Sequence, residues 1–275
     1  MENKLSILVL SCDEYCDIWN DFFSLRDTFW PNTDMKWYLV TESINFSHPN
    51  VEVIHTGKGL NWTGRLRHAV NYVNTKYIGW YLEDFFITEK VDNSLIFQLV
   101  EKMDDENIDY INMSDVFYSL VKMPEKHEYY DKHLLIIPNH KKYGISTASA
   151  LWRGSYLLDI LGNDDKNAWE FEIDLCKKAI SKEGFSGRIF CDDRMPFNVT
   201  KIPVVIQGKY NPKAIEYFAR KGFRIHVGNR GLMSKKDVFV FEFNDAVRKI
   251  LRDYPHLSKV IKWLAQNIFR IKFFT

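Results

Sequence analysis

The first 115 residues alternate between continuous apolar runs and segments with helical periodicity. Apolar runs predict strands over residues 4–11, 35–42, 51–56, 77–84 and 108–114. Apolar residues at helical spacing predict helices over 15–27, 62–74 and 92–106. A continuous apolar run is typical of a strand buried on both faces of a parallel sheet. The order β-α-β-β-α-β-α-β therefore predicts an α/β fold, with a mostly parallel central sheet flanked by helices.

The pattern is weaker in the rest of the chain. Residues 115–150 are rich in Tyr, His and Lys and lack periodicity, which predicts loops and short strands that face a substrate. Further helices are predicted over 167–184 and 211–222, with a strand over 201–208. Because no Pro-, Gly- or Ser-rich linker interrupts the chain, the sequence predicts one domain over 1–245, with halves of about 1–115 and 116–245, followed by a segment over 246–275.

Composition excludes several classes of protein. The 275 residues include 46% hydrophobic and 15% aromatic residues, which excludes a disordered chain. The formal net charge of +1 gives no global field that would recruit nucleic acid, so no nucleic-acid partner is expected. Four cysteines without CxxC spacing predict reduced thiols. No apolar run is long enough for a signal peptide or a membrane span, so we expect a cytoplasmic protein.

The segment 246–275 is predicted to end in a basic amphipathic helix. Apolar residues form one helical stripe over 257–274, and no acid appears after Asp253. Such a helix can lie on the inner face of the cytoplasmic membrane, where anionic lipids attract its lysines and arginines. Packing on the domain or on a second subunit, as in a homo-oligomer, is the equally weighted alternative.

Polar residues follow two of the predicted strands. Ser11 ends the first strand and Asp13 follows it, and Glu83 and Asp84 end the strand at 77–84. Ligands of open α/β sheets bind beyond the carboxyl ends of the strands. A Mg²⁺ or Mn²⁺ ion takes one or two carboxylates and completes its shell with phosphate oxygens and water. Glu83 and Asp84 are therefore candidate ligand-binding groups, and a pair of solvated acids at a strand exit is the alternative.

Two arginines lie in the first turns of the predicted helix 62–74. Arg65 and Arg67 would place guanidinium groups near a helix N-terminus, which is a favourable contact for a diphosphate. We favour this role for Arg65, because it lies in the compact segment NWTGRL. For Arg67, a solvated side chain is an equally good interpretation.

Acidic residues cluster at the start of the predicted helix 167–184. Glu170 lies three residues after Asn167, which is the spacing of a capping box, so it has a structural interpretation as well as a catalytic one. Glu172 has no capping role, and an aromatic setting can raise the pKa of a carboxyl group to suit a general base. The chain has no P-loop, GxGxxG, GxSxG or HExxH motif.

Five segments in order resemble a known family. They are ILVLSCDEY, NWTGRL, WYLEDFF, STASALWRGSYLLDIL and NAWEFE, and the resemblance covers roughly residues 4–210. The set resembles bacterial glycosyltransferases of the GT-A fold, of the type encoded in capsule and lipopolysaccharide O-antigen clusters. The resemblance implies a nucleotide-sugar half over 1–115, an acceptor half over 116–245, and an inverting transfer from a nucleotide-sugar donor to a lipid-linked glycan acceptor.

The resemblance also implies roles for individual residues. Ser11 and Asp13 would border the nucleotide, Arg65 would face the diphosphate, and Glu83 would lie near the ribose or sugar. Asp84 would hold Mn²⁺ or Mg²⁺, and Glu172 would be the catalytic base, with Glu170 beside it. The residues near the acceptor or the donor sugar would be Thr147, Ser149, Trp152 and Arg153. The acidic pair departs from the family's Asp-x-Asp pattern, because Leu82 precedes Glu83 and Asp84.

Two other functions fit the same sequence. A nucleotidyltransferase could use a similar sheet, although no Gly-rich phosphate loop follows the first predicted strand. A non-catalytic carbohydrate-binding or assembly protein could retain a transferase fold, since a fold does not by itself imply an activity.

Overall fold

The computed structural model describes residues 4–31, 35–114 and 128–253. The chain divides into two compact units, Met1–Val204 and Val205–Thr275. This division falls before the boundary at 245 that the sequence suggested. The predicted amphipathic stretch 257–274 lies outside the described residues, so its membrane or partner role stays a prediction.

The first unit is an α/β structure. Its elements, in chain order, are β1 (Leu5–Leu10), α1 (Cys16–Phe29), β2 (Lys36–Thr41), β3 (Val51–His55), α2 (Trp62–Val73), β4 (Tyr77–Leu82), α3 (Asn93–Asp105), β5 (Tyr110–Asn112), β6 (Leu134–Ile136), β7 (Ala150–Arg153), α4 (Gly154–Leu161), α5 (Ala168–Ala179) and β8 (Ile189–Asp192). Every strand and helix predicted between residues 4 and 114 is present. The predicted capping box of Asn167 and Glu170 at the start of α5 is also confirmed.

The strands form one eight-stranded sheet in the order β3-β2-β1-β4-β7-β5-β8-β6. Strands β1 to β4 are mutually parallel, while β7 pairs antiparallel with both β4 and β5. Strand β8 is parallel to β5, and β6 closes the sheet antiparallel to β8. The predicted mostly parallel central sheet flanked by helices is therefore confirmed, with β6 and β7 running against the rest.

Successive residues of β4 fill the cores on opposite faces of the sheet. Trp80 packs between Trp62 of α2 and Trp152 of β7, with ring centroids 5.8 and 4.9 Å away. Tyr81 points to the other face and meets Phe22 of α1 at 5.9 Å. Because neighbouring side chains of a strand point to opposite faces, this pair shows helices covering the sheet on both sides.

The loop 162–167 is fixed against the N-terminus of α2. The carboxylate of Asp165 accepts hydrogen bonds from the backbone N–H groups of Asn61, at 2.9 and 3.0 Å, and Gly64, at 3.0 Å. Gly64 allows this approach, since a Cβ atom there would lie 2.6 Å from Oδ1 of Asp165. The acid thus caps a helix whose first N–H groups have no partner within the helix.

In the second unit, one predicted strand is shorter than expected because the chain turns at Gln207 and Gly208. The strand expected over 201–208 is reduced to β9 (Val205–Ile206), which pairs antiparallel with β10 (Lys209–Tyr210). Gln207 and Gly208 between them both have positive φ, 49° and 76°, which is the backbone of a tight hairpin turn. The helices of this unit are α6 (Pro212–Arg220) and α7 (Lys235–Asp253).

Helix α5 is also shorter than predicted, ending at Ala179 rather than continuing to 184. The hydroxyl of Ser181 donates to the carbonyl of Lys178, and Gly184 has a positive φ of 64°, so the chain turns away here. Among the residues that the structure describes, no helix is long and apolar enough to cross a membrane.

Replacement of Trp80 tests the packing of the sheet core. The indole of Trp80 is fully buried and donates a 2.7 Å hydrogen bond to the carbonyl of Ala148. Trp80→Phe leaves a cavity and an unpaired buried carbonyl, so we expect the free energy of unfolding to fall by about 2 kcal/mol in urea denaturation. Trp169→Phe is the matched control, since Trp169 is 78% exposed and its replacement should change stability by less than about 0.5 kcal/mol. Equal effects of the two substitutions would contradict this packing.

Replacement of Asp165 tests the cap on α2. Asp165→Ala removes the acceptor for the N–H groups of Asn61 and Gly64, so we expect unfolding free energy to fall by about 1 kcal/mol. Asp164→Ala is the control, because its side chain is 77% exposed and only pairs with Lys166. A stability loss confined to the Asp164 variant would show that the cap is assigned to the wrong acid.

Candidate functional site at the carboxyl edge of the sheet

The carboxyl ends of β1, β2 and β4 lie side by side. Leu10 at the end of β1 is paired with Val40 of β2 on one side and with Leu82 of β4 on the other. The residues that follow these strands therefore emerge at one edge of the sheet, as the sequence predicted for Ser11, Asp13, Glu83 and Asp84. Beyond such an edge, open α/β sheets bind their ligands.

The carboxylate of Asp13 stabilises the turn that follows β2 at this edge. Its Oδ1 accepts from the hydroxyl of Thr41 at 2.7 Å and from the backbone N–H groups of residues 42, 43 and 44 at 3.0–3.2 Å. Its Oδ2 accepts from the hydroxyl of Ser43 at 2.6 Å. Burial alone would raise the pKa of Asp13, but these hydrogen bonds outweigh it and hold the pKa well below the usual range. Asp13 thus fixes the turn after β2, and its predicted contact with a nucleotide stays a prediction.

Ser11 also has an internal partner. Its hydroxyl accepts a 2.7 Å hydrogen bond from the indole N–H of Trp19 in α1. The side chain is 7% exposed, so the residue joins α1 to the end of β1. The backbone N–H of Ser11 also donates to the carbonyl of Val40 at 3.0 Å, and the predicted contact of Ser11 with a nucleotide stays a prediction.

Four polar side chains converge next to this turn. Arg65 of α2 lies 3.5 Å from Oε1 of Glu42 and donates at 2.9 Å to the carbonyl of Leu60. Burial raises the pKa of the Cys12 thiol to about 11, the nearby charges of Glu83 and Glu42 add to the rise, and Arg65 opposes it. The thiol of Cys12 is therefore neutral at pH 7.

The N-terminus of α2 is occupied by the chain itself. Asp165 holds its first N–H groups, and Arg67 donates to the carbonyls of Gly162, at 2.8 Å, and Asp164, at 2.7 Å. The proposed diphosphate contact at this helix end is thus filled by a carboxylate, and Arg67 is a structural residue. Arg65, whose side chain is 15% exposed, is the guanidinium that stays at the carboxyl edge.

Glu172 is brought to the same edge by β7. Because β7 runs antiparallel to β4, with Gly79 paired to Leu151, the residues that precede β7 lie at the carboxyl end of β4. Thr147 in this segment donates to Oε1 of Glu172 from its backbone N–H, at 3.0 Å, and from its hydroxyl, at 2.8 Å. Two predicted site residues that lie 25 residues apart in the sequence are therefore in direct contact.

The other oxygen of Glu172 is left open. Within the described parts of the chain, no hydrogen bond reaches Oε2 of Glu172, and the side chain is half-buried. A carboxylate with one fixed oxygen and one open oxygen has a defined direction in which to accept a proton.

Glu170, by contrast, is a structural acid. Its Oε2 accepts from the N–H of Asn167 at 3.0 Å, and its own N–H donates to the side chain of Asn167 at 2.9 Å. The capping interpretation of Glu170 is thus the one that the structure supports, while Glu172 points to Thr147.

Two other predicted residues lie in the interior, and a third is partly exposed at the far end of β7. Ser149 and Trp152 are fully buried, and the Trp152 ring packs on Tyr110 at 4.5 Å. Arg153 is paired with Tyr77 at the opposite end of β4 and donates to Oδ1 of Asp109 at 3.0 Å. The structure therefore does not bring Trp152 and Arg153 to Glu83 and Asp84, because β7 carries them from the carboxyl edge to the amino edge.

Glu83 and Asp84 could bind a cation whose remaining ligands are phosphate oxygens of the substrate. Glu83 is 9% exposed and Asp84 is half-buried at the end of β4. Among the described residues, no group of three or more His, Cys, Asp or Glu side chains could hold a metal ion. The pair can supply the one or two carboxylates that Mg²⁺ or Mn²⁺ takes beside phosphate oxygens, but it cannot form an all-protein cage.

Sequence reasoning missed Glu42 and Asp165. Glu42 follows β2 just as Glu83 follows β4, so its position at a strand end was a usable signal. Asp165 lies 104 residues from Asn61, and no local pattern links a loop acid to a helix that it caps so far away along the chain.

No protein-family model matches the sequence, and no curated protein matches it either. Solved structures give partial matches. A cytidylyltransferase from Leptospira borgpetersenii is 11% identical with a TM-score of 0.38, over 66% of this chain and 72% of that one. S. aureus TarS, residues 1–349, is 10% identical with a TM-score of 0.41, over 69% and 60%. An apo UDP-glucose pyrophosphorylase is 8% identical with a TM-score of 0.41, over 69% and 89%. Matches at this level do not decide the activity of this chain.

Proposed function

We propose that this protein is an inverting glycosyltransferase that moves a sugar from a nucleotide-sugar donor to a glycan acceptor. The observation that carries the proposal is the carboxylate of Glu172, pinned by Thr147 at the edge of the sheet where Glu83 and Asp84 end β4. The edge thus offers a base on one side and groups for a charged leaving group on the other.

The donor side of the proposal uses Arg65 and Asp84. A departing nucleoside diphosphate gains negative charge, and a guanidinium at the carboxyl edge would stabilise it. Asp84, with Glu83 beside it, would hold Mn²⁺ or Mg²⁺, which supplies further positive charge to the diphosphate. The Arg65 guanidinium is positioned by the carbonyl of Leu60, at 2.9 Å, with Oε1 of Glu42 at 3.5 Å.

The acceptor side uses Glu172. Its open Oε2 takes the proton of the acceptor hydroxyl while the hydroxyl oxygen forms a bond to the anomeric carbon. The bond between that carbon and the phosphate oxygen breaks on the opposite face, through an oxocarbenium-like transition state, and the diphosphate leaves with the electron pair. Attack opposite to the leaving group inverts the configuration at the anomeric carbon.

The resemblance to capsule and O-antigen enzymes supports a lipid-linked glycan as the acceptor. Surface polysaccharide synthesis would then be the process that the protein serves. The proposed metal and acceptor come from this resemblance and from the residue types at the edge, and the cytoplasmic location stays the expectation drawn from the apolar runs of the sequence.

Substitutions at Glu172 and Thr147 test the proposal. A panel of nucleotide sugars is first screened for release of the nucleoside diphosphate, with water or a glycan as acceptor. Glu172→Gln should lower kcat by about 100-fold or more and leave donor affinity unchanged, because only the proton acceptor is lost. Thr147→Val should lower kcat by about tenfold, since one of two hydrogen bonds that position Oε1 is removed.

Glu170→Gln is the matched control on the same helix. Its carboxylate lies in the capping box, so we expect kcat within about twofold of the unmodified protein. Unchanged turnover in Glu172→Gln would contradict the assignment of Glu172 as the catalytic base. Release of pyrophosphate from a nucleoside triphosphate and a sugar phosphate would instead identify a nucleotidyltransferase, and glycan binding without any nucleotide binding would identify a carbohydrate-binding protein.

A further inference from the structure

Thr63 is a fully buried polar residue in the first turn of α2. Its hydroxyl donates to the carbonyl of Asp164 at 3.0 Å and accepts from the backbone N–H of Lys166 at 2.8 Å. Its own backbone N–H donates to the carbonyl of Lys166 at 3.0 Å. The partners of the hydroxyl lie 101 and 103 residues away in the sequence, so Thr63 joins two distant segments of the chain.

Further hydrogen bonds hold the same loop on either side of Thr63. The carboxylate of Asp165 accepts from backbone N–H groups at the start of α2, and Arg67 donates to two backbone carbonyls of the loop. We call the contacts between residues 61–67 and residues 162–166 the α2 clasp. Because the α2 clasp uses mainly backbone groups of the loop, it fixes the path of the chain there.

Helix α5 begins directly after the α2 clasp and carries Glu172 in its second turn. The ammonium group of Lys166 pairs with Asp174 of α5 at 2.9 Å. Trp62, the first residue of α2, packs on Phe171, the buried neighbour of Glu172, with ring centroids 5.4 Å apart. The α2 clasp and this ring contact therefore set where the first turns of α5 lie against α2.

Helix α2 also carries Arg65, two residues after Thr63, and the Arg65 side chain stays at the carboxyl edge. The α2 clasp thus ties the helix of the proposed phosphate-binding guanidinium to the helix of the proposed base. Catalytic groups need a closely defined geometry, since a displacement of about 1 Å can cost about 100-fold in rate. A single contact that fixes the two helices against each other therefore bears on the rate of transfer.

We propose that Thr63 is a positioning residue of the transferase reaction, because it holds α5, and with it Glu172, in place relative to Arg65. The inference rests on the proposed function and deepens it, since Thr63 touches no substrate and acts through the base. Thr147 fixes an oxygen of the Glu172 carboxylate, and Thr63 fixes the backbone that carries this side chain.

Thr63→Val in the full-length protein tests the proposal, because valine keeps the shape of the side chain and removes the hydroxyl. We expect kcat to fall by about tenfold, while the affinity for the nucleoside diphosphate stays within about twofold, since Arg65 and Asp84 are retained. Thr63→Ser keeps the hydroxyl and should keep kcat within about twofold. Rates are expressed per folded molecule, since loss of buried hydrogen bonds also lowers stability.

The Glu172→Gln background separates positioning from a general loss of structure. A residue that acts through the carboxylate of Glu172 has no further effect once that carboxylate is gone, so Thr63→Val should not lower kcat again in this background. A residue that only supports the fold would lower kcat by the same factor in both backgrounds.

Hydrogen exchange gives a readout that needs no activity. In Thr63→Val, the amides of residues 168–176 should exchange at least about fivefold faster, because the start of α5 is less firmly held. Thr75→Val is the matched control, since the Thr75 hydroxyl donates to the carbonyl of Tyr77 at 3.0 Å, at the amino end of β4. This control should change neither that exchange nor kcat by more than about twofold.

Three results would each overturn the positioning role of Thr63. They are unchanged exchange of residues 168–176 in Thr63→Val, a kcat of this variant within about twofold of the unmodified protein, and an equal fall of kcat in the Glu172→Gln background. If the unmodified protein transfers no sugar, the proposed function fails and the positioning role falls with it, whereas hydrogen exchange still decides whether the α2 clasp supports α5.

Discussion

The pairing of β4 with β1 on one side and β7 on the other is the constraint on which the candidate site depends. Parallel pairing with β1 aligns the ends of the two strands, so Glu83 and Asp84 emerge beside Cys12 and Asp13. Antiparallel pairing with β7 brings the segment before that strand, with Thr147, to the same edge. Since Thr147 holds Glu172, a helix from a distant part of the sequence delivers its carboxylate there. A reversal of β7 would separate the proposed base from the acidic pair.

The acids around this edge divide into two groups. In the first group, the carboxylates accept hydrogen bonds from backbone N–H groups and so fix a turn and the starts of two helices. These acids are Asp13, Asp165 and Glu170. Within the described residues, Oε2 of Glu172 accepts no hydrogen bond, and Glu83 and Asp84 lie at a strand end where a charged ligand could bind. The first group thus fixes backbone near the second, and a fixed geometry of this kind is what the proposed transfer would require.

The sequence predicts the part of the fold that rests on local patterns. The apolar runs of β1 and β4 identify strands buried on both faces, and Asn167 with Glu170 identifies the start of α5. Pairings between distant residues leave no such pattern: the cap of Asp165 on α2, the contact of Thr147 with Glu172 and the direction of β7 all depend on the folded chain. The resemblance implied that Trp152 and Arg153 lie near the acceptor or the donor sugar, but the direction of β7 carries both away from Glu83 and Asp84.

The most direct test of the account is whether the carboxyl edge binds a nucleoside diphosphate. Calorimetric titration of the purified protein with a panel of nucleoside diphosphates, with Mn²⁺ and with EDTA, measures this without knowledge of the acceptor. The account predicts that one nucleotide binds with Mn²⁺, and that affinity falls by about an order of magnitude or more with EDTA and in Asp84→Asn. Absence of binding by any nucleotide to the folded protein, with or without metal ion, would contradict a donor site at this edge.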